Sequence, residues 1–208
     1  QTKLSTILKR IRPELEIFEN HKRAKTMNCW LIDTVNNELN FSRGLSNFCI
    51  SAALKEENKV KAIVIYDPLT DENFQFQEGH GGYLNDSRIR VSERKKISDS
   101  LVGVYKKHKS VDDTNSINII RKILSLNSVV MRETGSILLD LCNVGSGKYD
   151  CCIFSNPNEN FTLMSNLILG ETGGFIDTIN CKNSIVYVAS NKSVGKIVTE
   201  ILKSQNEK

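Results

Sequence analysis

Apolar positions along this chain follow two periods, and the change from one to the other divides it. Leu4, Ile7, Leu8 and Ile11 recur at helical spacing, and Pro13 ends that helix. A short apolar stretch at 15–18 follows. Residues 29–32 read as a buried strand with Asp33 at its end. The runs at 48–54 and 59–66 flank the turn-forming Glu56-Glu57-Asn58 and predict a hairpin. Strands at 73–77, 82–84 and 89–91 continue the sheet around Gly79-His80-Gly81-Gly82, with His80 as a turn residue. Beyond about Ser98 the pattern predicts alternation. Strands are expected at 101–105, 129–132, 149–154, 174–177 and 185–189, and helices at 116–125, 136–144, 159–171 and 194–203. The expected organisation is an α+β half over 1–97 and an α/β half over 98–208, together one compact two-lobed unit.

Composition narrows the class. In 208 residues, 39% hydrophobic and 25% charged side chains support an ordinary buried core, and three prolines leave little material for a linker. The longest apolar runs, such as 62–66, have strand length, whereas a membrane helix needs about 20 residues. Cys29, Cys49, Cys142, Cys151, Cys152 and Cys181 contain no C-x-x-C pair, and most lie in apolar runs. They read as small buried hydrophobes in a reducing compartment, which points to a cytoplasmic protein. A net charge of +4 does not by itself imply nucleic acid. Three basic clusters stand out: His21–Lys25, Arg88/Arg90/Arg94–Lys96, and Lys106–Lys109 with His108. Without interleaved aromatics, each is either a solvated surface or a contact for an anionic partner.

The chemistry-bearing segment is Trp30-Leu31-Ile32-Asp33-Thr34-Val35-Asn36-Asn37-Glu38-Leu39-Asn40-Phe41. It resembles the strand-to-helix motif W-[IV]-I-D-P-[IL]-D-G-T-x-N-F of the inositol monophosphatase family. Other segments are similar to that family in the same order. Residues 48–54 resemble F-A-V-S-I-A-L, Tyr66-Asp67-Pro68 resembles Y-D-P, and residues 82–85 resemble G-A-x-L-N. Residues 135–141 resemble G-S-A-A-L-D-L, and Gly170-Glu171-Thr172-Gly173-Gly174 resembles E-E-A-G-G. The hairpin region looks most like the bacterial extragenic-suppressor (SuhB) branch. The resemblance implies an αβαβα layered sandwich, a homodimer and Mg²⁺-dependent phosphomonoester hydrolysis. For the suppressor branch it also implies work with the transcription machinery.

Carried over residue by residue, the resemblance makes Asp33 a metal ligand, joined by the backbone carbonyl of Val35. Glu19 becomes the match for the family's glutamate ligand, although Asn20 replaces the second Glu of that G-E-E loop. Asn36 stands where a second ligand Asp belongs, and Asn37-Glu38 replace the Gly-Thr that cradles phosphate. Counting back from Gly173-Gly174 puts Asn160-Phe161 at the W-D pair that opens the last active-site helix. Phe154 replaces an acidic residue that contacts the inositol ring in some members. Mg²⁺ requires hard oxygen ligands, and the family's four carboxylates offset two such ions. Glu19 and Asp33 alone would suit at best one weakly held ion, with Glu38 as a compensating ligand. A carboxylate at position 38 would in turn repel phosphate by about 4 kcal/mol at 4 Å and an effective dielectric near 20.

Structural readings stand beside these roles. Asp33 could cap a turn, Glu19 could be a surface carboxylate, and Ser136 after Gly135 could cap a helix rather than touch a sugar hydroxyl. Phe154 and Phe161 read as core or groove fillers, and His21 and His108 as solvated. The favoured expectation is a catalytically impaired family member that binds a partner. One alternative is an active Mg²⁺-dependent phosphomonoesterase with altered ligation, acting on inositol-1-phosphate or a related sugar phosphate. The other is a structural subunit beside an intact paralogue.

Overall fold

The structure is a computed structural model and describes residues 2–19, 26–105, 120–121, 125, 129–181 and 184–206. The basic loop at 21–25, the cluster at 106–109 with His108, Asn20, and most of the helix expected at 116–125 lie outside these residues. Among the described residues are two sheets and five α-helices.

The first sheet has seven strands in sequential order. They are β1 (Glu16–Glu19), β2 (Cys29–Asn36), β3 (Cys49–Glu56), β4 (Lys59–Asp67), β5 (Glu72–Gln77), β6 (Gly81–Leu84) and β7 (Ser87–Ile89). Only β1 pairs in parallel, with β2; the rest is an antiparallel meander. The β3–β4 hairpin turns through Glu57 and Asn58, both at positive φ, as a two-residue connection between right-twisted strands requires. The second sheet has the order β11-β12-β10-β8-β9. Its strands are β8 (Leu101–Tyr105), β9 (Val130–Arg132), β10 (Cys151–Ser155), β11 (Phe175–Cys181) and β12 (Ser184–Ser190).

Helices α3 (Ile137–Gly145) and α4 (Glu159–Thr172) form the layer between the sheets. Helix α1 (Thr2–Ile11) lies against the edge strand β1, α2 (Glu38–Ser42) follows β2, and α5 (Lys192–Asn206) covers the far face of the second sheet. The result is the expected layered sandwich. One core runs through both halves, packing Leu31, Ile63 and Phe76 of the first sheet with Leu138 and Ile168 of the middle helices and Phe154 of the second sheet. A second core joins the outer face of the second sheet to Val194, Val198 and Leu202 of α5.

Three local departures from the expected elements have physical causes. Strand β2 does not end at Asp33 but runs to Asn36, because a bulge keeps it paired with β3. The strand expected at 89–91 lies at Ser87–Ile89, since the Val91 N–H leaves the sheet to bond the Thr172 carbonyl at 3.1 Å. Tyr149 precedes β10 and closes the α3 terminus, its N–H donating to the Asn143 carbonyl at 2.9 Å. No described helix is long and apolar enough to cross a membrane.

Candidate functional site

The bulge in β2 builds the site. Asp33 pairs with Ser51 and Asn36 with Cys49, so three steps along β2 match two along β3. In a regular strand, residues three apart face opposite sides. The extra residue returns Asn36 to the inward face beside Asp33. Both side chains are buried, and Asn36 Nδ2 donates to Asp33 Oδ2 at 3.0 Å. Asn36 Oδ1 in turn accepts from Ser136 Oγ at 2.8 Å. Ser136 is fully buried and caps α3, its Oγ accepting from the Leu139 N–H at 3.4 Å. An ionised carboxylate can only accept, which fixes the amide with its NH₂ toward Asp33 and its oxygen toward the hydroxyl. The Cys49 sulfur lies 3.9 Å from Ser136 Oγ. Burial pushes its thiol pKa up, the Ser136 contact opposes that, and the nearby Asp33 and Asp67 carboxylates add to it.

The cavity beside Asp33 is lined largely by carbon. Phe18, Leu31, Ile32, Leu138, Phe161 and Met164 surround it, with Ser51 and Asn160 as further polar members. Its volume of about 20 Å³ corresponds to one water molecule. Phe161, 9% exposed, stands in the first turn of α4, which Asn158 caps by accepting from the Phe161 N–H at 2.9 Å. A pair of Mg²⁺ ions does not fit this donor set. Asp33 supplies the cavity's carboxylate, the amide at position 36 turns its hydrogens toward that carboxylate, and the Phe161 ring lines the same cavity. Among the described residues, no three His, Cys, Asp or Glu side chains come together where a metal could bridge them.

Glu19 is turned the other way. It is registered opposite Ile32, so strand alternation sends its side chain to the α1 side, where Ser5 Oγ donates to it at 3.4 Å. Its neighbour Phe18 takes the Asp33 side. Glu38 opens α2 as an exposed residue and does not line the cavity. Val35 lies half-buried within the bulge. Phe154 is fully buried and stacks on Tyr187, centroids 5.3 Å apart, so the position carries apolar packing.

The phosphate-cradle position is occupied by an amide lattice. Asn37 has φ +74, the left-handed conformation that Asn tolerates better than other side chains, and thus keeps a glycine-like backbone without glycine. Its Oδ1 accepts from the Asn40 N–H at 3.3 Å, and its Nδ2 donates to the carbonyls of Asn47 and Thr134 at 3.2 and 3.3 Å. Asn40 Nδ2 reaches the same Thr134 carbonyl at 3.1 Å. Gly135 sits at φ +84, a conformation that favours glycine, and a Cβ there would stand 2.7 Å from Asn37 Nδ2. Sequence reasoning picked out Asn37, Gly135 and Ser136, but missed Asn40 and Thr134. An Asn-rich turn opposite a Gly-Ser helix start was the available signal.

One further buried acid underlies the lattice. Asp140 of α3 is fully buried, accepts from Thr134 Oγ1 at 2.8 Å, and has no partner for Oδ2 among the described residues. Burial pushes its carboxyl pKa up to about 7, against the downward pull of the Thr134 bond. Burial also raises the Tyr105 phenol, reinforced by Asp33 and Asp140.

Residues 6–206 match the inositol monophosphatase family. The Nus factor SuhB of Buchnera aphidicola subsp. Acyrthosiphon pisum is 31% identical over 179 residues, covering 84% of this chain and 67% of that protein. The inositol-1-monophosphatase of Rhizobium meliloti is 31% identical over 121 residues, 58% of this chain and 46% of that protein. The extragenic suppressor protein suhB of Bartonella henselae superposes with a TM-score of 0.84 at 25% identity, over 95% of this chain and 79% of that one. The chain thus spans about half to two-thirds of the length of these two sequence relatives.

Proposed function

Because the chain belongs to the inositol monophosphatase family, we propose that it is a member impaired in metal-dependent phosphate hydrolysis that acts by binding a partner. The observation that carries this reading is the hydrogen-bond chain Asp33–Asn36–Ser136, whose Asp33 end shares a water-sized cavity with Phe161. In that arrangement hydrolysis lacks both the anionic ligands for two Mg²⁺ ions and the space for a phosphoryl group between them. The separation of Glu19 and Glu38 from Asp33 supports the same conclusion, since neither side chain joins it at the cavity.

The proposed partner belongs to the transcription machinery, in line with the relatives named Nus factor SuhB. The proposed assembly is a homodimer, which light scattering on a sizing column checks. The other reading, a living phosphomonoesterase with altered ligation, draws support from the relative named inositol-1-monophosphatase. Phosphate release from inositol-1-phosphate and from a chromogenic phosphomonoester with Mg²⁺ decides between them. The impaired reading expects release at the level of the enzyme-free control. Release above that level that Asp33→Ala abolishes overturns it.

A further inference from the structure

The strap that joins the two sheets concentrates the charge of the protein. Residues 88–96, Arg88-Ile89-Arg90-Val91-Ser92-Glu93-Arg94-Lys95-Lys96, carry five basic side chains and one acidic. Their balance of +4 equals that of the whole chain, 28 basic against 24 acidic, so the remaining residues are neutral in sum. All five basic residues are exposed. Arg94 reaches the buried Asp150 at 3.4 Å. Among the described residues, Arg88, Arg90, Lys95 and Lys96 make no ion pair.

The backbone beneath these charges is fixed. Residues 87–89 pair with β6. The Val91 N–H bonds the last turn of α4 through Thr172. Asn191 Nδ2 donates to Ser92 Oγ at 2.9 Å and to the Arg94 carbonyl at 3.2 Å, while Ser92 Oγ donates to Asp150. Ile89 and Val91 pack against the first core and Ile97 against the second. With Ile89 and Val91 turned to the core, Arg88 and Arg90 lie on the exposed side, the Arg88 guanidinium over Gly81 and Arg90 Nη1 beside Gly173. Cations carried on a pinned backbone bind without the further cost of ordering that backbone.

We propose that this strap binds the phosphodiester backbone of a nucleic acid. The inference rests on reading the chain as a partner-binding protein and names the chemistry of a partner. Five exposed cations within nine residues suit an anion that carries several phosphates along its length, and guanidinium groups bind phosphate in a bidentate fork. With no aromatic residue in the strap to stack on bases, the contact is to phosphates and is insensitive to sequence. Its outward positions carry no large apolar side chain, which disfavours a lipid surface.

Fluorescence anisotropy with end-labelled 20-mers of uridine and of deoxythymidine tests this, with polyglutamate and anionic vesicles as competitors. Four unpaired cations give a slope of about −2.8 in log K against log salt, or about 50-fold weaker binding at 200 than at 50 mM. The variant Arg88→Gln/Arg90→Gln/Lys95→Gln/Lys96→Gln should lose at least tenfold in affinity and flatten the slope. Lys59→Gln/Lys192→Gln/Lys196→Gln/Lys203→Gln removes as much charge elsewhere and should stay within twofold of the parent. Equal melting temperatures of the three proteins establish that folding is intact. Retained binding by the strap variant overturns the proposal, as does competition by polyglutamate or vesicles equal to that by the oligonucleotides. The uridine and deoxythymidine arms show which nucleic acid is preferred. Phosphatase activity is scored separately: nucleic-acid binding with hydrolysis defeats the impaired reading alone, and neither activity defeats the strap alone.

Discussion

Replacing Asn36 by Asp probes the site at its narrowest point. The amide nitrogen lies 3.0 Å from Asp33 Oδ2, and both residues are buried. In Asn36→Asp a hydrogen bond becomes a carboxylate pair. Two like charges at about 4 Å and an effective dielectric of 20 repel by about 4 kcal/mol, and the lost hydrogen bond adds about 1 kcal/mol. For a protein of this size each kcal/mol shifts the melting temperature by about 2–4 °C, so a drop of about 10–20 °C is expected at pH 7 without Mg²⁺. Two relief routes exist. Sharing one proton lowers the penalty as pH falls, because the pair then titrates as a unit. A Mg²⁺ ion between the carboxylates restores about 2.7 kcal/mol at a hundredfold excess over its dissociation constant. Thermal melts followed by circular dichroism, with MgCl₂ against KCl of equal ionic strength, read the effect. The parent should melt identically in both salts and Asn36→Asp should regain stability only in Mg²⁺. A parent stabilised specifically by Mg²⁺, or a variant as stable as the parent without it, refutes the reasoning.

Other perturbations test the surroundings. Asp140 has a folded pKa of about 7 against an ordinary 3.8, so the native state holds a proton that the unfolded chain releases. Stability should therefore fall, by up to a few kcal/mol, as pH rises from about 4 through 7. Urea midpoints for Asp140→Asn should lack that slope, and an unchanged slope would contradict the assignment. Gly135→Ala forces a Cβ against Asn37 Nδ2 at positive φ and should cost about 1–3 kcal/mol. In an Asn37→Gly background the cost should shrink, since the clash is gone and only the backbone strain remains; equal costs in a double-mutant cycle would deny the contact.

The sequence disclosed the architecture more fully than the site. Apolar runs on either side of Glu56-Glu57-Asn58 delivered the β3–β4 hairpin, and the short apolar run at 101–105 delivered β8, whose centre is buried between two parallel neighbours. Similarly, Gly173 at φ +80 marked the end of α4 through the conformation that glycine favours. The bulge at 33–36 left no such trace, for it depends on pairing with Ser51 and Cys49, and its product, the Asn36–Ser136 contact, joins residues a hundred positions apart. Glu19 shows the complementary limit. Its residue type fitted a ligand, but a one-residue difference in register decides which face of β1 it takes, and that register is set by pairing with β2. The cluster of charge on the strap was visible as composition. Its fixed backbone depends on Asn191 and Thr172, far away in sequence.

Isothermal calorimetry with Mg²⁺ tests the central claim most directly, on the parent and on Asn36→Asp/Phe161→Asp. The account predicts no saturable heat below millimolar Mg²⁺ for the parent, and measurable binding once both carboxylates are in place. Two saturable sites in the parent, or a double variant that binds no better, would contradict it.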